Sequence, residues 1–245
     1  MIKMIKGYPA IFIKKIKTLV ISDLHIGYEI ELLKSGIHIP SQLNFFIQEV
    51  KNLIEKTKAK TLVINGDLKH KIINPYRKEK RMVVEFVKEI EKTIDLKIVK
   101  GNHDGNLEKI LPNKKIYSPK GFCMENFGFF HGHAWPSPSL VKCDWLIMAH
   151  LHPGIKYKEN FGYKVEKVFI FSKLKKEKIV EKYKIEKTGK LKIVIIPHFN
   201  NLLTGIDIFS KESKELSPIM KENIFDYSKA KIYSLNGILL GNWKK

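Results

Sequence analysis

Two hydrophobic periods alternate along the first half of this chain. A short apolar run from Thr18 to Ser22 ends at Asp23 and reads as a buried strand. From Gln42 to Thr57, Leu43, Phe46, Ile47, Val50, Leu53 and Ile54 fall on one helical face. Pro40 and Ser41 stand at its start, where a proline and a capping hydroxyl belong. Lys60–Asn65 predicts a second strand. Arg77–Thr93 predicts a second amphipathic helix using Met82, Phe86, Val87 and Ile90, and Leu96–Lys100 a third strand. This β-α-β-α-β order implies a largely parallel sheet with right-handed crossovers.

Beyond residue 115 the period shortens. Strands are predicted at Phe122–Glu125, Gly128–His131, Trp145–Ala149, Lys164–Phe171, Val180–Glu186 and Lys190–Ile196. Several alternate apolar with charged positions, as half-exposed antiparallel strands do. No repeat and no low-complexity linker interrupts the pattern, and His198–Lys245 carries little periodicity. One α/β domain over residues 1–245 is expected.

Composition narrows the class. Cys123 and Cys143 are the only cysteines and fit no disulfide framework or CxxC pattern. They are expected to be buried small hydrophobes in a reducing, cytoplasmic protein. The N-terminal segment is broken by lysine every few residues, unlike a signal peptide, and no stretch approaches the ~18 apolar residues of a membrane span. The formal charge is +20. That charge fits a polyanionic partner such as nucleic acid. It fits a lysine-rich, heat-adapted composition equally well, since Arg77 and Arg81 are the only arginines.

The residues able to bind metal are clustered. Asp23 and His25 follow the first strand. Asp67 and His70 follow the second, in Asn65-Gly66-Asp67-Leu68-Lys69-His70. Asn102, His103 and Asp104 follow the third, behind Gly101. His131 and His133 follow a later strand around Gly132, and His150 and His152 follow another, after Ala149. Ligands of open α/β sheets bind at the carboxyl ends of strands, so five such clusters can converge. Asp, Asn and His without thiolate favour Mn, Fe or Zn over a structural zinc site. One carboxylate such as Asp67 can bridge two ions ~3.5–4 Å apart.

The ordered series D-x-H, G-D, G-N-H-D, H-G-H and H-x-H over residues 23–152 resembles the calcineurin-like metallophosphoesterases. The resemblance implies a four-layer αββα sandwich of two mixed sheets. It implies two divalent ions, manganese first, with iron, zinc or nickel as the other candidates. Asp23, His25, Asp67 and His152 resemble the ligands of the first ion. Asp67, Asn102, His131 and His150 resemble those of the second, and His103 resembles the catalytic histidine. His70 departs from the usual Asp or Asn. The resulting Gly-Asp-x-x-His form is similar to the double-strand-break repair nucleases and the DNA-ligase-associated phosphoesterases. Ala149 stands where the last motif usually has glycine, and a small backbone adjustment is expected there. Ile195–Asn200 and Gly237 resemble the ligase-associated and archaeal repair-nuclease-related group.

The remaining candidates carry lesser roles. His133 is assigned a phosphate contact or support of a ligand. Asp104 is expected to cap the next helix while helping to orient a histidine. His38 and His198 read as structural. Trp135 fits a stacking platform and a packing anchor equally. Lys71, Arg77 and Lys78 follow the Asp67 loop and are candidates to hold a nucleic-acid backbone, or to form a solvated helix face. The leading expectation is a phosphodiesterase acting on nucleic acid, with DNA preferred. A small-molecule phosphodiesterase comes second and a non-catalytic interaction module third. A homodimer and a DNA-repair protein are the further partners this reading suggests.

Overall fold

The computed structural model describes residues 1–160 and 162–243. The first half contains β1 (Ile2–Met4), β2 (Ile11–Ile13), β3 (Thr18–Ile21), α1 (Tyr28–Lys34), α2 (Leu43–Thr57), β4 (Thr61–Asn65), α3 (Arg77–Glu91), β5 (Asp95–Val99), α4 (Leu107–Ile110) and β6 (Ile116–Tyr117). Its sheet runs β1-β2-β3-β4-β5-β6. β3, β4 and β5 are parallel, as predicted; β6 extends them in parallel, and β1 and β2 add an antiparallel flank, none of which the periodicity showed.

The second half contains β7 (Phe122–Met124), β8 (Phe127–Phe129), β9 (Trp145–Met148), β10 (Pro153–Glu159), β11 (Gly162–Lys173), α5 (Lys176–Tyr183), β12 (Lys192–Ile195), β13 (Ile206–Asp207), α6 (Glu212–Glu215), α7 (Pro218–Lys221), β14 (Lys231–Ser234) and β15 (Leu239–Asn242). These strands form a second mixed sheet, in which β8, β9 and β12 are parallel and the long β10–β11 hairpin is antiparallel.

Strand alternation explains the layering. In the first sheet Leu19, Ile21, Leu62 and Ile64 face the helices, while Val20 and Val63 face the second sheet. In the second sheet Ile147, Phe169 and Val194 meet Val20 and Val63 in the central core. Leu146, Met148, Ile193 and Ile195 face outward onto Ile179 of α5 and Ile219 and Met220 of α7. The result is the mixed four-layer α/β architecture expected from the motifs.

Packing rather than capping fixes the long helices. Neither α2 nor α3 has a side-chain cap. A cap would add ~1 kcal/mol. Burial of Leu43, Phe46, Ile47, Val50 and Leu53 on α2 contributes about 1.5–3 kcal/mol per side chain.

The strand predicted at Val180–Glu186 is not formed. α5 occupies Lys176–Tyr183 and ends at Lys184 in the left-handed conformation. Ile179 and Tyr183 are four residues apart and both pack on the outer core, a helical spacing that outweighs the short alternation after Val180. Among the described residues, no helix is long and apolar enough to cross a membrane.

Candidate metal centre

The strand ends carry the motifs into one place. Asp23, Asp67, Asn102, His131 and His150 lie two or three residues beyond β3, β4, β5, β8 and β9. Main-chain bonds tie the first two loops together, from Asp23 N–H to Gly66 O at 3.0 Å and from His25 N–H to Asp67 O at 2.9 Å. Ala149 N–H reaches His131 O at 2.8 Å and ties the last two. Gly66 has φ +99°, and a Cβ there would run into the His131 ring. A Cβ at Gly101 would collide with the Asp67 carboxylate.

Five of the candidate ligands hold left-handed backbone: Asp23 at φ 53°, His25 at 44°, Asp67 at 51°, His150 at 68° and His152 at 43°. Each such non-glycine residue costs about 1–3 kcal/mol, and such strain concentrates at functional sites.

The side chains gather into three groups of ligand atoms: His25, His70 and His103 form one, and two triads containing a carboxylate form the others. Ligand atoms of Asp23, His25 and His152 lie within 4.8 Å of one another, and so do those of Asp67, His131 and His150. Asp67 Oδ2 lies between the triads, 3.5 Å from His25 Nε2 and 3.2 Å from His131 Nε2. Asp23 Oδ1 is 3.3 Å from His152 Nε2. Both oxygens of Asp23, Nε2 of His25 and His131, and Oδ1 of Asn102 are buried without a hydrogen-bond partner. Leaving so many buried polar atoms unpaired is expensive unless a cation takes them. The donor set of carboxylate, amide and imidazole therefore fits divalent metal.

Outer contacts aim these ligands. His131 Nδ1–H donates to Asn65 O at 2.9 Å, which leaves Nε2 facing the carboxylates. His150 Nε2–H donates to Leu216 O at 3.0 Å, which leaves Nδ1. Burial opposes charge on Asp67, but His131 and His25 hold it well below the usual carboxylate range. Burial likewise opposes charge on Asp23, and His152 and His131 hold it low. Burial lowers His25 to about 3 and His150 to about 4, so both are neutral donors at pH 7.

The other sequence candidates fall around this core. His103 N–H donates to Asp67 Oδ1 at 2.8 Å, and its Nδ1–H donates to the His70 carbonyl. His70 lies beside His25, with Nδ1 atoms 3.3 Å apart. His133 sits outside the second triad, its ring 5.4 Å from that of His131. Asp104 caps no helix, since α4 starts after Asn106. It accepts the buried amides of Leu68, Lys69 and Gly101 instead, and burial and Asp67 push its carboxyl up to about 6. Lys71 Nζ donates to Tyr76 Oη at 2.7 Å, while Arg77 and Lys78 are exposed at the start of α3. Cys143 is buried as expected, but Cys123 is half-exposed, its Sγ 3.1 Å from that of Cys143. Trp135 packs against the outer core with Lys182 over its ring, and His38 is exposed.

Sequence reasoning missed two supports. Lys69 and Glu79 are buried beneath the Asp67 loop, and Glu79 accepts the amides of His70 and Lys71. Phe199 N–H bonds to Ser22 O at 2.8 Å and Asn200 Nδ2 to Leu24 O at 2.9 Å, so the tail braces the Asp23 loop. Lys167 joins in by donating to the carbonyls of His198 and Asn200. The spacing of these residues along the chain gives no local signal.

The nuclease MPE of Pseudomonas putida shares the fold with a TM-score of 0.59 at 16% identity, over 93% of this chain and 89% of that one. The phosphoesterase YfcE of E. coli aligns at 19% identity over 91% of this chain and 96% of that one, with a TM-score of 0.39. No curated protein matches the sequence. The family model for calcineurin-like phosphoesterases matches residues 16–231. The chain belongs to the calcineurin-like phosphoesterase family.

Proposed function

We propose that this protein is a phosphodiesterase that cleaves nucleic acid, DNA before RNA, at two divalent ions with manganese preferred. The observation that carries the reading is the position of Asp67 Oδ2, shared between a triad with His25 and a triad with His131. Asp23, His25, Asp67 and His152 would hold one ion, and Asp67, Asn102, His131 and His150 the other. When bound, the ions would acidify a water and draw charge from the phosphoryl oxygens.

The chain's own groups would do the rest. The His70 carbonyl takes His103 Nδ1–H, so Nε2 is the nitrogen left to protonate the leaving oxygen. The water loses one proton to solvent and its oxygen adds to phosphorus. The bond to the leaving oxygen breaks, and the imidazolium of His103 passes its Nε2 proton to that oxygen, to be reprotonated from solvent. The products are one phosphomonoester and one hydroxyl end. His133 neighbours His150 of the second triad with a buried, unpartnered Nδ1, which supports a role in contacting a phosphoryl oxygen.

The net charge of +20 and the cationic rim of Lys71, Arg77 and Lys78 support a polyanionic substrate. The P. putida protein of the same fold is a nuclease. A screen with added manganese tests the reading. It would compare single- and double-stranded DNA, RNA, cyclic nucleotides, an aryl phosphodiester and a phosphomonoester. DNA turnover exceeding that of cyclic nucleotides is expected, and the reverse order would favour a small-molecule enzyme.

A further inference from the structure

Lys69 is a buried charged side chain of the Asp67 loop to which the chemistry above gives no task. It is fully buried, two residues after the shared carboxylate and one before His70. In a chain this rich in lysine, nearly all lysines can stay in water. An ammonium withdrawn from it is costly unless its donors are met.

They are met by main-chain carbonyls. Lys69 Nζ donates to Lys71 O at 2.5 Å, to Ile72 O at 3.3 Å and to His103 O. An ammonium has three donors, and the three acceptors come from two loops. Lys71 and Ile72 follow β4, and His103 follows β5. The loops touch again where His103 Nδ1–H meets His70 O, and where Asp104 takes the Leu68 and Lys69 amides. The approach is close, since a Cβ on Gly105 would lie 3.3 Å from Ile72 O.

We infer that Lys69 is a positioning residue for His103: it clamps the two loops so that the His70 carbonyl fixes the His103 tautomer and turns Nε2 toward the leaving group. This rests on the assignment of His103 as the general acid. Without the ammonium, three carbonyls lose their donor and the contact of His103 Nδ1–H with the His70 carbonyl loosens, while Asp104 still ties the loops through the Leu68 and Lys69 amides. The ligands on either side keep their own anchors, because Asp67 and His131 are held by His103 N–H and by Asn65.

The test uses metal-loaded wild type, Lys69→Met, Lys69→Gln and His103→Ala on two nucleotide diesters. One releases p-nitrophenol, which leaves without a proton, and the other releases a nucleoside hydroxyl, which needs one. Lys69→Met is expected to keep its metals, its KM and its turnover of the aryl ester within ~3-fold. Its kcat on the nucleoside ester should fall ~10–10²-fold, short of the ~10²–10⁴-fold of a lost general acid. Equal losses on both esters, or loss of metal with activity, would overturn the role. Failure of both Lys69 variants to fold would do the same, because the residue would then be purely structural. An equal effect of His103→Ala on both esters would remove the acid assignment and the Lys69 role with it. Selectivity in His103→Ala but not in Lys69→Met would overturn the Lys69 role alone.

Discussion

The backbone amide of His103, not its side chain, holds Asp67: N–H to Oδ1 is 2.8 Å. One oxygen of the shared carboxylate is thereby pinned, and Oδ2 is left to face both triads. The imidazole of His103 belongs to neither carboxylate triad and groups instead with His25 and His70. Metal binding and proton delivery are therefore separable at this residue.

His103→Ala retains that amide and should retain both metals. Its turnover of DNA should fall ~10²–10⁴-fold, the usual worth of a positioned general acid. Metal content by elemental analysis beside kcat checks this. Parallel loss of metal and activity would mean that the imidazole is a ligand.

With His131 as a proposed ligand, its protonation should set the pH dependence of metal uptake. Burial works against its charge, but Asp67 and Asp23 raise it to about 9. Because Nδ1–H is committed to Asn65 O, the extra proton sits on Nε2, the atom facing the carboxylates. Loading metal at pH 7 should therefore release about one proton from His131, fading as pH rises through about 9. The same raised value stabilises the metal-free fold below the ordinary 6.5, and that contribution is lost as pH climbs through about 9. Titration calorimetry in buffers of different ionisation enthalpy measures the release. A buffer-independent heat at pH 7 would contradict it.

Gly66 is the backbone position on which the second triad depends. At φ +99° with no room for a Cβ beside His131, Gly66→Ala should cost ~2 kcal/mol or more and lower metal affinity. Urea melts of the metal-free variant give the first quantity and metal titration the second. A change below ~0.5 kcal/mol, the range of an ordinary surface substitution, would show that the loop relaxes freely.

Much of this site was legible because its chemistry is carried by residue types at strand ends. Asp23, Asp67, Asn102, His131 and His150 stand just past apolar runs, and those runs became β3, β4, β5, β8 and β9. The supports were not legible. Lys69 looks like any solvated lysine until its loop folds over it. Asn200 braces Leu24 across 176 residues, beyond the reach of any local pattern. Val180–Glu186 alternates apolar and charged positions like a strand, while Ile179 and Tyr183, four residues apart, both pack on the outer core. Asp104 was read as a cap from its place before a helix, yet its carboxylate turns back to Leu68, Lys69 and Gly101.

The rim prediction concerns substrate rather than chemistry. Lys71, Arg77 and Lys78 lie on the loop and helix start that follow Asp67. Replacing all three by alanine should weaken DNA binding and flatten its salt dependence, by a log–log slope of about 0.7–0.9 per lost contact. Turnover of a small aryl diester should stay within ~2-fold, because the candidate ligands and His103 are untouched. Binding isotherms at several salt concentrations decide it. An unchanged slope with wild-type DNA cleavage would make the rim a solvated face.

The account stands on Asp67 Oδ2 serving two ions. Elemental analysis of stripped protein reloaded with manganese, with activity followed at each step of the titration, tests this most directly. Two manganese ions per wild-type chain are predicted, with activity appearing as the second site fills. Full activity at one bound ion would contradict it.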